Sequence, residues 1–152
     1  MIAFWTILHG LIAIGLLGAV THQGLTVLRK PAPAELFVNR FRAIPAARFA
    51  NAIAALYVLT FALGAYIYPT YVLDVKGAIA EYGMRKTLGI FQLKEHLAVI
   101  GLGLLPVYWH FWRRVPLTDS RPTRAFLTTL LMLIVWWNLV VGHILNNVRG
   151  LT

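Results

Sequence analysis

The chain contains no cysteine among its 152 residues. This absence excludes disulfide bonds, thiolate metal sites, iron–sulfur clusters and covalently attached c-type haem. A bound metal must therefore use histidine, carboxylate or methionine side chains. Acidic residues are also scarce: the chain has five Asp and Glu and 14 Lys and Arg.

Charge of either sign is rare in this chain. Charged residues make up 12% of it and hydrophobic residues 59%, a balance that is unusual for a water-soluble domain. Four apolar segments approach the ~20 residues that cross the hydrocarbon core of a bilayer. We predict an all-α integral membrane protein, a four-transmembrane-helix bundle forming a single domain over residues 1–152. The predicted spans are about residues 2–28, 50–72, 93–112 and 125–145.

The basic residues indicate how the bundle is oriented. They concentrate in the first and third connections between spans, whereas the second connection is balanced. Because lysine and arginine stay in the cytoplasm during insertion, loops 29–49 and 113–124 are predicted to be cytoplasmic, with the N- and C-termini outside. We expect a multi-pass protein of the bacterial inner membrane, and the net charge of +9 then reflects topology and not nucleic-acid binding.

Two connections carry further structural predictions. Residues 116–122 form a short, proline-bounded connection, which predicts a tight turn and makes the third and fourth spans neighbours. Residues 74–92 mix apolar and charged side chains at roughly helical spacing. They fit either an amphipathic helix on the outer surface or an ordered loop. Lys94 and Glu95 are expected to lie at the outer start of the third helix as a charged cap; Glu95 could alternatively take protons at a quinone pocket.

The histidines are the candidate cofactor ligands of this sequence. His96 and His110 are fourteen residues apart on one apolar segment, with Gly103 midway between them. This spacing puts both imidazoles on nearly the same helix face, ~21 Å apart along the axis. Gly103 lies on the same stripe and leaves room for a flat ligand. Such a helix can carry two stacked haems.

Alternating helix directions sort the five histidines into two levels. His9, His96 and His143 lie towards the outer surface, and His22 and His110 lie towards the cytoplasm. Each level holds at least the two imidazoles that a six-coordinate haem needs. The predicted axial pairs are His22 with His110 and His96 with His143. Histidines near helix ends can also sit at the headgroup level, but ionisable residues inside a membrane are rare and mark functional sites by default.

The first helix contributes further candidates. Gly15 and Gly18 precede His22 on its face and give the helix a smooth surface beside the predicted ring. His9 is turned by roughly 140° from the His22 face, which makes it the weaker ligand candidate. It could instead bond a haem propionate or a backbone carbonyl, or exchange protons with a quinol.

This layout resembles the small four-helix membrane b-type cytochromes with a cytochrome b561-like plan. The resemblance covers the whole chain as four spans and rests on His22, His96, His110, His143 and Gly103. It implies one or two haem b groups, a possible quinone, and electron transfer as a subunit of a larger respiratory or redox complex, more than a stand-alone enzyme. The chain departs from the plan through its fifth histidine and through the segment 50–72, which has none.

Two other functions use the same features. A copper or zinc transport or assembly protein would use the histidines as a metal path, because imidazole suits Cu(II) and Zn. A cofactor-free accessory subunit would use the glycines of the first and third helices to pack against a partner complex.

Overall fold

The structure is a computed structural model that describes residues 2–28, 46–116 and 118–148, with side chains described as far as residue 145. All regular elements in these residues are helical, which confirms the all-α class. Four segments are long and apolar enough to cross a membrane, as predicted. The elements are α1 (Ile2–Leu28), a 3₁₀ turn (Ala46–Arg48), α2 (Phe49–Tyr71), a π-helical turn (Val72–Lys76), α3 (Gly77–Glu81), α4 (Arg85–Arg113) and α5 (Arg121–Val148).

The four long helices form a ring. Each packs against two neighbours in the order α1, α2, α4 and α5, which closes back onto α1. Helices α1 and α4 are therefore diagonal to each other, as are α2 and α5. The predicted neighbourhood of the third and fourth spans is confirmed by the extensive packing of α4 on α5.

The two ends of the bundle differ in structure. At the π-turn end, α1 and α4 begin, and α2 runs into the π-helical turn. At the opposite end, which we call the Arg124 end, α1 and α4 finish and α2 and α5 begin. The first connection, with its prolines and most of its basic residues, lies outside the described residues.

The second connection differs from both sequence interpretations. The π-helical turn and Gly77–Glu81 continue α2 without a break, so that one helical segment runs over Ala46–Glu81. Gly83 follows its end with φ +67°, a conformation that glycine adopts readily. Helix α4 then begins at Arg85 and not near residue 93. Its first turns are held in place because Phe91 is buried and stacks on Tyr71, with ring centroids 5.3 Å apart.

The core lies along one face of α4. Phe91, Gly101, Leu105, Tyr108 and Trp112 are buried there, at the alternating three- and four-residue spacing that keeps side chains on one face of a helix. Hydrogen bonds connect this face of α4 to the opposite side of the bundle. The Tyr108 hydroxyl donates to Oε1 of Gln23 on the diagonal helix, and the Gln23 amide donates to the Ala46 carbonyl at 2.9 Å.

A buried arginine closes the turn between α4 and α5. Arg124 is 3% exposed. Its guanidinium donates to the carbonyls of Phe111 at 2.8 Å, Val115 at 2.9 Å and Pro116 at 2.6 Å. The Phe111 carbonyl belongs to the last turn of α4 and the other two follow the helix, where no further helical N–H groups are available. Arg124 therefore acts as a side-chain cap at this end of the bundle.

Gly101 permits the closest approach between α2 and α4. A Cβ at this position would collide with the Tyr57 hydroxyl and would lie 3.1 Å from the Ile134 side chain. That hydroxyl donates to the Ala98 carbonyl at 3.0 Å. Close helix approach through glycine is typical of membrane bundles.

We expect Gly101→Val to destabilise the bundle, because the collision forces α2 away from α4 and breaks the Tyr57 bond. Overpacking of this kind costs about 1–3 kcal/mol. Thermal unfolding in detergent measures the loss. Gly103→Val is the matched control, because a Cβ there meets nothing within 4 Å; equal melting temperatures for the two variants would contradict this packing.

Candidate functional site

His110 lies on the face of α4 that points away from the bundle. Tyr108 and Trp112, two residues to either side of it, are buried. Two residues turn a helix by about 200°, so His110 faces opposite to both. The side chain is exposed, and its ring meets Phe111 edge-on with centroids 5.8 Å apart.

His96 occupies the same outward face at the π-turn end. It is exposed, and its Nδ1 lies 2.7 Å from the Gln92 carbonyl. A carbonyl can only accept, so in the neutral imidazole Nδ1 carries the proton and Nε2 carries the lone pair. A backbone carbonyl bonded to one ring nitrogen is the arrangement that orients histidine ligands in metal and haem sites. The side chain is thus prepared to ligate through Nε2.

The three glycines that were predicted to face a haem also lie on outward surfaces. Gly103, Gly15 and Gly18 are exposed, and a Cβ built at any of them meets nothing within 4 Å. Gly103 thus lies between His96 and His110 on this face with no side chain of its own, and exposed Val99 and Val107 lie on either side of it. Gly15 and Gly18 lie on the outward surface of α1, the helix diagonal to α4.

His143 and Lys94 show that α4 and α5 are in register at the π-turn end. Lys94 Cε lies 3.4 Å from the position that a Cβ of Gly142 would take. His96 is two residues from Lys94, and His143 is next to Gly142. The two histidines therefore lie at the same height on the neighbouring helices α4 and α5. His143 is exposed and stands between buried Val141 and Leu145.

His22 has a different environment. It is half-buried at the Arg124 end, with its ring 4.5 Å from the Phe49 ring and tilted by 31°. The interior between α1 and α4 at this level holds the Tyr108–Gln23 hydrogen bond. His22 and His110 thus share a level, but the space between their helices is filled by side chains.

His9 faces the interior. It precedes Leu16 by seven residues, and Leu16, Val20 and Gln23 are the buried residues of the same face. Its Cε1 lies 3.2 Å from the position that a Cβ of Gly64 would take, so this glycine makes room for the ring. Nδ1 of His9 is buried and has no hydrogen-bond partner. The predicted angular offset between His9 and His22 explains why one ring faces inwards and the other lies at the edge.

Charged side chains accompany His9 at the π-turn end. Lys76, from the π-helical turn, pairs with Oε2 of Glu95 at 3.4 Å, while Oε1 of Glu95 is buried without a partner. Lys94 and Glu95 do not start α4, as the sequence suggested. They lie nine and ten residues after Arg85, ~13–15 Å along the helix axis, because the segment before them is itself helical.

Sequence reasoning treated Lys94 as a cap and missed its position on the inward face of α4, where it is partly buried. The signal was present in the chain: Lys94 falls between Phe91 and Gly101 in the spacing that defines the buried face of α4. Within the described part of the chain, no group of three or more His, Cys, Asp or Glu side chains could hold a metal ion.

The chain was compared with known families, curated proteins and solved structures. No family model matches it, and no curated protein and no solved structure shows significant similarity to it. The functional argument therefore rests on the residues and their geometry alone.

Proposed function

We propose that this protein is a haem b-binding subunit that carries electrons in a larger membrane redox complex, with the haem on the outside of the bundle beside α4. The observation that carries the proposal is the orientation of His96, whose Nδ1 is bonded to the Gln92 carbonyl and whose Nε2 is left for a ligand. The open space at the Cβ position of Gly103 on the same face supports it.

The proposal places the ligands of this group at the π-turn end. His96 and His143 lie at one level on neighbouring helices, and both are exposed. We assign them as the axial ligands, so that an isolated chain holds one haem. Haem supplies reversible one-electron chemistry at its iron. The chain orients the His96 imidazole through Gln92 and leaves the surface at Gly103 clear.

The residues of the Arg124 end do not fit a haem inside the bundle. Tyr108 and Gln23 fill the interior between α1 and α4, and His110 points outwards. We therefore do not propose that His22 and His110 of one chain ligate the same haem, as the sequence predicted. A second haem at His110 would need its other ligand from a neighbouring subunit, which is consistent with membership of a complex.

The surroundings of the subunit complete the proposal. We assign the protein to the bacterial inner membrane. The distribution of basic residues favours an orientation with loops 29–49 and 113–124 in the cytoplasm. The electron donor or acceptor is then a quinol or another redox subunit. Reporter fusions to each loop and terminus test this orientation.

The presence of haem is tested by a dithionite-reduced minus oxidised absorbance spectrum of the protein purified in mild detergent. We expect the bands of a low-spin b-type haem. A haem-free protein isolated together with its native partners would contradict the proposal.

A cofactor-free accessory subunit is the second candidate. The open glycines Gly15 and Gly18 on the outward face of α1 favour it, because small residues let a neighbouring helix approach closely. Simultaneous His→Ala replacement distinguishes the two candidates, since an accessory subunit would retain assembly and activity. A copper or zinc path has less support, because no described group of three ligands exists for it.

A further inference from the structure

A groove opens on the surface of the bundle between α2 and α4. Its volume is about 480 Å³, which is within the range of small-molecule sites. Both helices line it with small or apolar side chains, namely Ala54, Val58, Leu102, Leu105, Pro106 and Trp109. The groove therefore suits a hydrocarbon chain.

The length of the groove matches one half of a bilayer. Leu102 and Trp109 are seven residues apart, so the groove extends ~10 Å along α4. The hydrocarbon core of a bilayer is ~30 Å thick, and Trp109 lies one turn before the end of α4. Beyond Leu102 the groove meets the close approach of the two helices at Gly101 and Tyr57. A chain that enters from one leaflet fits this space, whereas a transmembrane helix of a partner would run along both leaflets.

The outer end of the groove is polar and positively charged. Nε1 of Trp109 donates to Oδ1 of Asn51 at 2.9 Å, which joins α4 to α2. The Arg114 guanidinium lies over the Trp109 ring, 5.6 Å from its centre. Arg113 is exposed one turn after Trp109 on the same side of α4, and Arg48 is exposed one turn before Asn51. Three guanidinium groups thus lie where the groove reaches the membrane surface.

Few carboxylates oppose these arginines. Within residues 46–116 and 118–148, the Arg124 end has one acidic residue, Asp119, which accepts a hydrogen bond from Thr118 at 2.6 Å. It belongs to the turn that leads into α5, the helix diagonal to α2. Basic clusters at a membrane surface attract anionic lipids, and tryptophan is enriched at the level of the headgroups. The charge at this end of the groove therefore complements an anionic headgroup.

We propose that the groove binds one anionic phospholipid, with an acyl chain between α2 and α4 and its phosphate beside Arg113 and Arg114. The apolar lining holds the chain, and the arginines select an anionic headgroup over a zwitterionic one. Leu102 is turned by about 100° from Gly103 around α4. The lipid site is thus separate from the outward face with His96 and does not depend on the proposed haem.

Native mass spectrometry of the delipidated chain in neutral detergent tests this site. Phosphatidylglycerol and phosphatidylcholine with the same acyl chains are titrated separately, and the lipids bound to each chain are counted. We expect one tight site with roughly tenfold higher affinity for phosphatidylglycerol, because each arginine near the headgroup favours an anionic lipid. Equal affinities for the two lipids contradict the proposal. A lipid-free dimer would show that a second copy covers the groove, which also overturns it.

A pair of arginine variants separates the site from general attraction to a basic protein. Arg113→Gln combined with Arg114→Gln should lose most of the preference for phosphatidylglycerol. Arg85→Gln combined with Arg121→Gln removes the same charge from exposed positions outside the groove and should keep the preference. Equal loss in both double variants would mean that the net charge, and not this site, attracts the lipid.

A second pair of variants tests the position of the acyl chain. Ala54→Leu fills the groove and should weaken the binding of both lipids by roughly tenfold, because the chain loses contacts with the lining. Ala55→Leu makes the same change at the next, exposed position and should leave both affinities unchanged. Val58→Phe serves if Ala54→Leu does not fold. A folded groove variant that keeps full affinity overturns the proposal.

Discussion

Replacement of Arg124 by methionine should lower the free energy of unfolding by about 3 kcal/mol. The guanidinium donates to three carbonyls in and just after the last turn of α4, and it lies over the Trp112 ring at 5.7 Å. Methionine preserves much of the volume but donates no hydrogen bonds. Bonds that involve a charged group are worth about 1.5–3 kcal/mol each, and partial hydration of the turn offsets part of their loss.

Unfolding in detergent, followed by circular dichroism, measures this effect. Arg121→Met is the matched control, because Arg121 is exposed one turn earlier in α5 and should change stability by less than about 0.5 kcal/mol. Arg124→Lys should fall between the two, since one ammonium cannot reproduce the fork of donors. If Arg124→Met has the same free energy of unfolding as Arg121→Met, the Arg124 side chain does not stabilise the turn between α4 and α5.

Replacement of His96 by alanine should remove the haem from the isolated chain. The proposed site depends on Nε2 of this residue, and no other histidine on the outward face of α4 lies at its level. His143→Ala should have the same effect, because two axial imidazoles are required for a six-coordinate haem. Reduced-minus-oxidised spectra of the purified variants, normalised to protein, measure the loss.

Two controls separate loss of a ligand from loss of the fold. Val99→Ala shortens an exposed side chain one turn from His96 and should retain the full absorbance. His22→Ala removes a histidine from the Arg124 end and should also retain it. A variant set in which His22→Ala loses the haem while His96→Ala keeps it would place the ligands at the other end of the bundle.

Spacing in the sequence determined which residues share a face, but not where the face points. The fourteen-residue interval correctly grouped His96, Gly103 and His110 on one side of α4. Their outward direction depends on Tyr108 and Trp112, whose burial follows from contacts with Gln23 on α1 and with Thr128 on α5. Such pairings between distant segments are not visible in a local pattern.

The apolar segments correctly predicted the number of spans, but the positions of individual charges were less predictable. Arg124 was counted with the basic residues of a connection, yet it is buried because the turn between α4 and α5 folds back over it. Lys94 was expected at a helix start because the third span was predicted to begin at residue 93. The early start of α4 depends on the stacking of Phe91 on Tyr71, a contact between residues twenty positions apart.

The ratio of haem to protein chain is the measurement that tests the account most directly. Pyridine haemochrome analysis gives the amount of haem b, and quantitative amino-acid analysis gives the amount of chain. One accessible pair of axial histidines predicts about one haem per chain for the isolated protein. A ratio near zero in protein purified with its partners contradicts the haem function, and a ratio near two contradicts the assignment of a single site at His96 and His143.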